Sequence, residues 1–177
     1  VVQMTVSFWF QQCEFSGMDG WGNYSTSSAS FSLVTKAGDG IAAYPGFWIN
    51  SSINAQTGNL NISSANKNVA GYYETNYEVP VQYNCFDTCE WMHYVTSIED
   101  NVARIYINGV LYRDTIIDHA SYAQANVQDL YFGRMGCNGT IWYPFHGKLD
   151  DVAFYNRALT EAEVAQLFDN YYDSHYF

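Results

Sequence analysis

Residues 104–113 read Arg-Ile-Tyr-Ile-Asn-Gly-Val-Leu-Tyr-Arg. A type I′ turn favours Asn-Gly because both of its central residues need a positive φ, so Asn108-Gly109 marks the tip of a hairpin. The flanking alternation places Ile105 and Ile107 on one face. A two-residue turn can only join antiparallel strands. The stretch therefore predicts antiparallel β architecture.

Working outward, Met4 to Phe10 (Met-Thr-Val-Ser-Phe-Trp-Phe) mixes β-branched and aromatic residues with partial alternation, as a half-buried strand does. Residues 29–35 alternate Phe31, Leu33 and Thr35 against Ser30, Ser32 and Val34, and residues 59–63 alternate Leu60 and Ile62 against Asn. Clusters of Ser, Asn, Gly and Asp predict loops at 16–28, 36–46 and 51–58. One segment near the end reads as helix. Thr160 is a good N-cap, Glu163 completes a capping box, and Leu159 and Val164 occupy the staple positions. Val164, Leu167, Phe168 and Tyr171 follow as an apolar stripe at helical spacing. No repeat or linker divides the chain, so residues 1–177 are expected to form one domain, with an aromatic tail at 171–177 beyond the helix.

The composition narrows the function classes. The 177 residues carry seven Lys and Arg against eighteen Asp and Glu, a formal net charge of -11. That balance repels phosphate, which argues against a nucleic-acid partner and a polybasic membrane anchor. No apolar run approaches the roughly 18 residues of a membrane span. Aromatic residues make up 18%, including 16 Tyr, while only 14% are charged. A weakly charged surface rich in Tyr, Asn, Ser and Thr suits an extracellular setting. N-x-S/T sequons at Asn23, Asn50, Asn61 and Asn138 predict N-linked glycans. Four cysteines, Cys13, Cys85, Cys89 and Cys137, form an even set consistent with two disulfides. The absence of an initiator Met and of a signal peptide reads as a processed or partial chain. Secretion is the expectation.

Cys85-Phe-Asp-Thr-Cys89 has the look of half a zinc site, but structural zinc takes four ligands and no second pair is present. A local Cys85–Cys89 disulfide is the better reading, leaving Cys13–Cys137 as a long-range bridge. Four cysteines allow three pairings and the sequence does not choose among them.

Four stretches then take on a common pattern. In order they are Thr5-Val-Ser-Phe-Trp-Phe10, Trp91-Met-His-Tyr-Val95, Ile105-Tyr-Ile-Asn-Gly-Val-Leu111 and the segment Gly147 to Val164, which contains Lys-Leu-Asp-Asp-Val-Ala-Phe-Tyr-Asn-Arg-Ala-Leu-Thr-Glu. The series resembles the laminin-G-like, pentraxin-like branch of the concanavalin A-type lectins, over about residues 4 to 168. The resemblance implies an all-β, two-sheet antiparallel jelly-roll sandwich with one short C-terminal helix. It also implies recognition of glycans or other extracellular ligands, often with calcium, or service as a structural module of adhesins. Family domains usually carry a further strand before the first motif. That strand is missing here: either the segment was cut away, or a neighbouring domain or subunit completes the N-terminal sheet edge.

Catalysis is not expected. The glucanases of this superfamily need paired carboxylates along one strand, whereas Asp150 and Asp151 are adjacent and would point to opposite faces. Asp150 instead reads as a hydrogen-bond acceptor or a calcium ligand. Calcium favours clustered loop oxygens, and the candidates are Asp19, Asp39, Asp87, Glu99, Asp100 and Asp150. A sugar would stack its C–H faces on exposed rings rimmed by polar groups. Trp9 and Trp91 fall in strands and read as core. Trp21, Trp48, Trp142, Tyr72, Tyr73 and Tyr143 lie in or near loop-like stretches and are the candidate platforms. Tyr171, Tyr172, Tyr176 and Phe177 are candidate interface residues, since exposed aromatic patches mark contacts. The expected function is a secreted, non-catalytic module that binds a glycan or glycosylated partner, with calcium a possible cofactor. The alternative is a self-assembling subunit of an extracellular filament, coat or adhesin.

Overall fold

A computed structural model describes residues 3–12, 17–18, 24–25, 28–36, 46–54, 60–67, 73–81, 90–116, 129–137 and 140–176. The strands are β1 (Gln3–Gln12), β2 (Gly17–Met18), β3 (Tyr24–Ser25), β4 (Ser28–Lys36), β5 (Gly46–Asn54), β6 (Leu60–Lys67), β7 (Tyr73–Val81), β8 (Trp91–Glu99), β9 (Val102–Ile107), β10 (Val110–Ile116), β11 (Tyr131–Phe132), β12 (Met135–Cys137), β13 (Thr140–Trp142) and β14 (Gly147–Tyr155). One helix follows, α1 (Glu161–Tyr176). Two five-stranded antiparallel sheets and a single C-terminal helix place the chain in the all-β jelly-roll class. The residues fall into two compact units, one of residues 1–12, 90–119 and 148–177, the other of residues 13–89 and 120–147.

The first unit holds the sheet β10-β9-β8-β1-β14. Its strands β1 and β8 are buried on both faces, and the pairing register sorts the faces. Phe8 lies opposite Tyr94, Trp9 opposite His93, Ser7 opposite Val95 and Thr5 opposite Ser97. One face thus carries Val6, Phe8, Phe10 and Tyr94, all buried, with the Phe8 and Tyr94 rings 5.3 Å apart. The other face receives α1. Val95, Tyr106, Leu159 and Val164 form a buried cluster there, joined by Tyr155 and Leu167. Trp9, His93 and Phe168 stack in series, Trp9 to His93 at 5.0 Å and Trp9 to Phe168 at 5.6 Å. Ser7 Oγ bonds His93 Nε2 at 2.9 Å inside this packing.

The approach to the helix is fastened by two buried hydroxyls. Thr5 donates to the carbonyl of Arg157 at 2.9 Å, and Ser97 donates to the carbonyl of Leu159 at 3.1 Å. The Leu159 N–H is shared between both hydroxyl oxygens at 3.0 Å each. A buried backbone group must find such a partner. Here a connecting segment with no strand of its own borrows two side chains from β1 and β8. The capping box is present as expected: Glu163 N–H donates to Thr160 Oγ1, and Thr160 N–H donates to Glu163 Oε2. The hairpin also matches, with φ of 49° at Asn108 and 77° at Gly109.

Two expectations need correction in this unit. β1 does not lie at a sheet edge, because β8 flanks it on one side and β14 on the other; the edge strands are β10 and β14. The segment from Tyr171 is not a tail beyond the helix, since α1 continues to Tyr176.

The second unit holds the sheet β11-β4-β5-β6-β7. From β4 to β7 it is an antiparallel meander. Pro80 sits on the edge strand β7, the place in a sheet where proline is tolerated. The predicted loop at 51–58 is strand up to Asn54, because β5 continues its pairing with β4 and β6. In β4 the expected alternation breaks: the register shifts between Ser32 and Val34, leaving Leu33 as an extra residue. Phe31, Ser32, Leu33, Val34 and Thr35 are all buried.

Candidate functional site

The bulge in β4 prepares the site. With Leu33 out of the ladder to β5, the strand's free side takes up two backbone bonds from elsewhere. Gly133 N–H donates to the Leu33 carbonyl at 2.8 Å, and Ser32 N–H donates to the Tyr143 carbonyl at 2.9 Å. Phe145 N–H then donates to the Gly133 carbonyl at 2.8 Å, tying residues 131–134 to residues 143–146. Two left-handed residues shape this corner, Gly133 at φ 69° and Tyr143 at φ 49°. Phe31 supports it from below, with Phe145 edge-on at 6.3 Å and His146 at 6.1 Å.

The result is a narrow exposed strip. β11 is an edge strand, pairing only through Tyr131 with Thr35 and Phe132 with Val34. Leu130, just before the strand, and Phe132 on it are 38% and 50% exposed. Tyr131 is half-buried and points the other way. Exposed Arg134 places its guanidinium carbon 4.9 Å from the Tyr131 ring centroid, a cation–π distance. The Tyr131 hydroxyl reaches Asp129 Oδ2 at 3.5 Å. The guanidinium and carboxylate thus gather at Tyr131, while on the other side the exposed Phe132 ring offers a face on which the C–H groups of a sugar could stack.

Two clefts are found elsewhere among the described residues. Beside α1 a cleft of about 180 Å³ is lined by Ser7, Trp9, His93, Asp151, Tyr155 and Tyr171, and a neighbour of about 210 Å³ by Arg157, Glu163, Gln166 and Asn170. Both fall short of the roughly 300 Å³ at which ligand pockets begin. Burial there raises the Tyr155 phenol above its ordinary pKa. Ser7 and His93 are almost wholly buried and serve the ring stack above them.

The sequence-predicted residues are distributed as follows. Tyr143 belongs to the strip's corner, and Trp142 precedes it on β13, opposite Met135. Trp48 and Tyr73 lie on β5 and β7, so these two and Trp142 are strand residues and not loop residues. Trp21 and Tyr72 lie outside the described residues. Trp9 is buried, whereas Trp91 is half-buried with Lys148 Nζ 6.0 Å from its centroid. Asp100 is exposed in the β8–β9 turn at φ 52°, and Glu99 pairs with Arg104 at 3.4 Å. Asp150 Oδ1 accepts the Asp151 N–H at 2.9 Å; with Asp151 at φ 48° the strand loses regular alternation at this pair. Asp19, Asp39 and Asp87 lie outside the described residues. Among the described residues no three His, Cys, Asp or Glu side chains gather to hold a metal. Cys137 ends β12, while Cys13, Cys85 and Cys89 lie outside the described residues. Asn50 is half-buried on β5 and Asn61 lies on β6; Asn23 and Asn138 are outside the described residues. Tyr171 is exposed on α1, Tyr172 and Tyr176 are helical, and Phe177 is outside the description. Leu130, Phe132 and Arg134 were not among the sequence candidates. Their signal was a two-residue strand bearing adjacent aromatics, which must send one ring outward.

The model for the concanavalin A-like lectin/glucanases superfamily matches residues 2–165. The chain belongs to that superfamily. Solved structures with this lectin fold include a heptameric pentraxin from Limulus polyphemus, at TM-score 0.64 and 15% identity, covering 95% of this chain and 70% of that one. The CBM40 domain of a Ruminococcus gnavus sialidase bound to α2,3-sialyllactose aligns at TM-score 0.66 and 14% identity, covering 95% and 83%. A leech intramolecular trans-sialidase aligns at TM-score 0.67 and 20% identity, covering 93% of this chain and 23% of that one. At these identities the likeness is one of fold. Curated proteins give no match to the lectin-like sequence.

Proposed function

We propose that this chain is a secreted, non-catalytic recognition module that binds a glycan or a glycosylated partner through the strip at Leu130, Phe132 and Tyr143. The observation that carries the reading is the half-exposed Phe132 ring on an edge strand, held by a backbone corner. A rigid sheet presenting a mobile-ligand contact at its margin is how this class of scaffold is commonly used. The CBM40 structures with sialyllactose support a saccharide as the ligand class.

A glycan-array screen of the secreted chain, run with calcium and again with EDTA, tests the proposal. Saturable binding to a defined sugar class supports it, and loss of that binding in EDTA adds calcium to it. Phe132→Ala should weaken the binding about tenfold, the factor that 1.4 kcal/mol makes. Absence of saturable binding in both conditions overturns it.

A second reading, self-assembly, is favoured by edge strand β10, where Val110 is 68% and Ile116 75% exposed. Such an edge offers unpaired backbone groups to another strand.

A further inference from the structure

We infer that the cleft between β14 and α1 binds a small N-methylated ammonium compound, its cationic head held among Tyr155, Tyr171 and Asp151. This goes beyond the saccharide reading and stands apart from it, since the cleft shares no residue with the strip.

Helix spacing and strand packing bring the lining together within the first unit. Leu167 and Tyr171, one turn apart on α1, share a face of the helix. Leu167 and Tyr155 both pack against the same buried cluster, so Tyr171 is carried over β14 beside Tyr155. The Tyr155 phenol is raised first by burial and next by the nearness of the Tyr171 phenol, which agrees with that placement. Asp151, Val152 and Ala153 complete the β14 side. Trp9, buried and stacked on His93 and Phe168, lies at the floor.

The chemistry of this lining is one-sided. Its one carboxylate is Asp151, and no Lys or Arg lines it among the described residues. The adjoining cleft, which shares Tyr155 and Leu167, contains Arg157, but that guanidinium is held by Glu163 at 2.6 Å. Aromatic rings attract a cation to their faces, and a methylated ammonium is the cation this cleft suits best. Its methyl groups meet apolar walls at Val152, Ala153 and Leu167, where a strongly hydrated ion would lose its water. A calcium ion is a poor match, since it takes about six to eight oxygens. An anion is repelled by Asp151 and by the net charge of -11. At about 180 Å³ the space suits a compact head group and not an oligosaccharide.

The test titrates tetramethylammonium into the whole chain at neutral pH and physiological ionic strength, following the broadening of the probe's methyl protons. The control is tert-butyl alcohol, a neutral molecule of similar shape. Wild type should bind the cation about tenfold or more tightly than the alcohol, as a desolvated cation–π site provides. Ammonium at equal concentration should not displace it. Tyr171→Leu removes an exposed ring and should weaken binding about threefold or more, while Tyr171→Phe stays within about twofold of wild type. Asp151→Asn keeps a residue tolerant of the left-handed backbone at that position. It should reduce the preference for the charged probe about threefold or more. Phosphatidylcholine vesicles, sedimented with the protein, distinguish two sources of the group. Co-sedimentation that tetramethylammonium displaces assigns a lipid headgroup, and probe binding without co-sedimentation assigns a soluble compound. Equal affinity for cation and alcohol, or binding that both Tyr171→Leu and Asp151→Asn leave untouched, overturns the inference. So does an absence of broadening at tens of millimolar probe. None of these results bears on sugar binding at the strip. A far-UV spectrum and melting curve for each variant separate lost binding from lost folding.

Discussion

Gly109 and Gly133 both hold a left-handed backbone, yet their surroundings differ. A Cβ added at Gly109 would come within 2.9 Å of Phe168 Cβ, whereas at Gly133 the nearest atom is Phe145 Cβ at 3.8 Å. Gly133→Ala should therefore cost only the left-handed strain, roughly 1–2 kcal/mol. Gly109→Ala adds an overpacking cost of about 1–3 kcal/mol, because α1 lies against the turn. Urea unfolding of the two variants should show the larger loss at Gly109, and equal losses would mean that the helix moves aside freely. The first glycine was legible beforehand because Asn-Gly is a turn signature; Gly133 was not, since its conformation answers a bulge in β4 that the alternation of Phe31 and Leu33 concealed. Gly133→Ala should also weaken sugar binding, because relieving that strain would shift the N–H and carbonyl on which the corner that holds Phe132 hangs.

At the scale of elements, the start of α1 is the best-determined boundary. Glu163 accepts from both ends of the Arg157 fork and from Thr160, and these bonds hold its carboxyl at about 2 against an ordinary 4.5. The Arg157 guanidinium is the largest cause, followed by the Thr160 N–H and hydroxyl. A carboxyl depressed on folding contributes stability that is present above its unfolded value and lost as pH falls toward the folded one. Glu163→Gln should thus melt below wild type at pH 7, with the gap closing between pH 4.5 and 2; a gap independent of pH would show that the charge contributes nothing. Thr160→Ala should cost about 0.5–2 kcal/mol, the usual loss for a cap, measured by thermal unfolding. The helix start was readable because caps are local chemistry. Its end was not: Tyr-Tyr-Asp-Ser-His-Tyr carries neither Gly nor Pro to stop it, so the helix runs on and its Tyr171 lines the cleft beside β14.

For the whole molecule, the motifs from residues 4 to 168 made the jelly-roll class legible, but the order of strands was not. Placing β1 between β8 and β14 depends on pairings across most of the chain's length, which no local pattern encodes. That order decides where association can occur. With β1 enclosed, the exposed apolar residues of β10 are the better candidate for self-contact. Val110→Lys with Ile116→Lys should leave the melting temperature nearly unchanged and convert any dimer or larger species seen by light scattering to monomer. Persistence of the assemblies would move the interface elsewhere, with Tyr171 the next residue to replace.

The two hydroxyls that fasten Arg157 and Leu159 join residues 152 to 154 positions apart in sequence in the Thr5 contacts. During synthesis β1 leaves the ribosome well before its outer neighbour β14 and the segment those hydroxyls receive. For most of translation β1 has one open flank and an unlatched helix-bearing face, a window in which Phe8, Trp9 and Phe10 invite wrong partners. The β4–β7 meander, contiguous in the chain, can close early with local contacts. Production of this protein should accordingly be most sensitive to whatever shields β1 until β14 and α1 arrive.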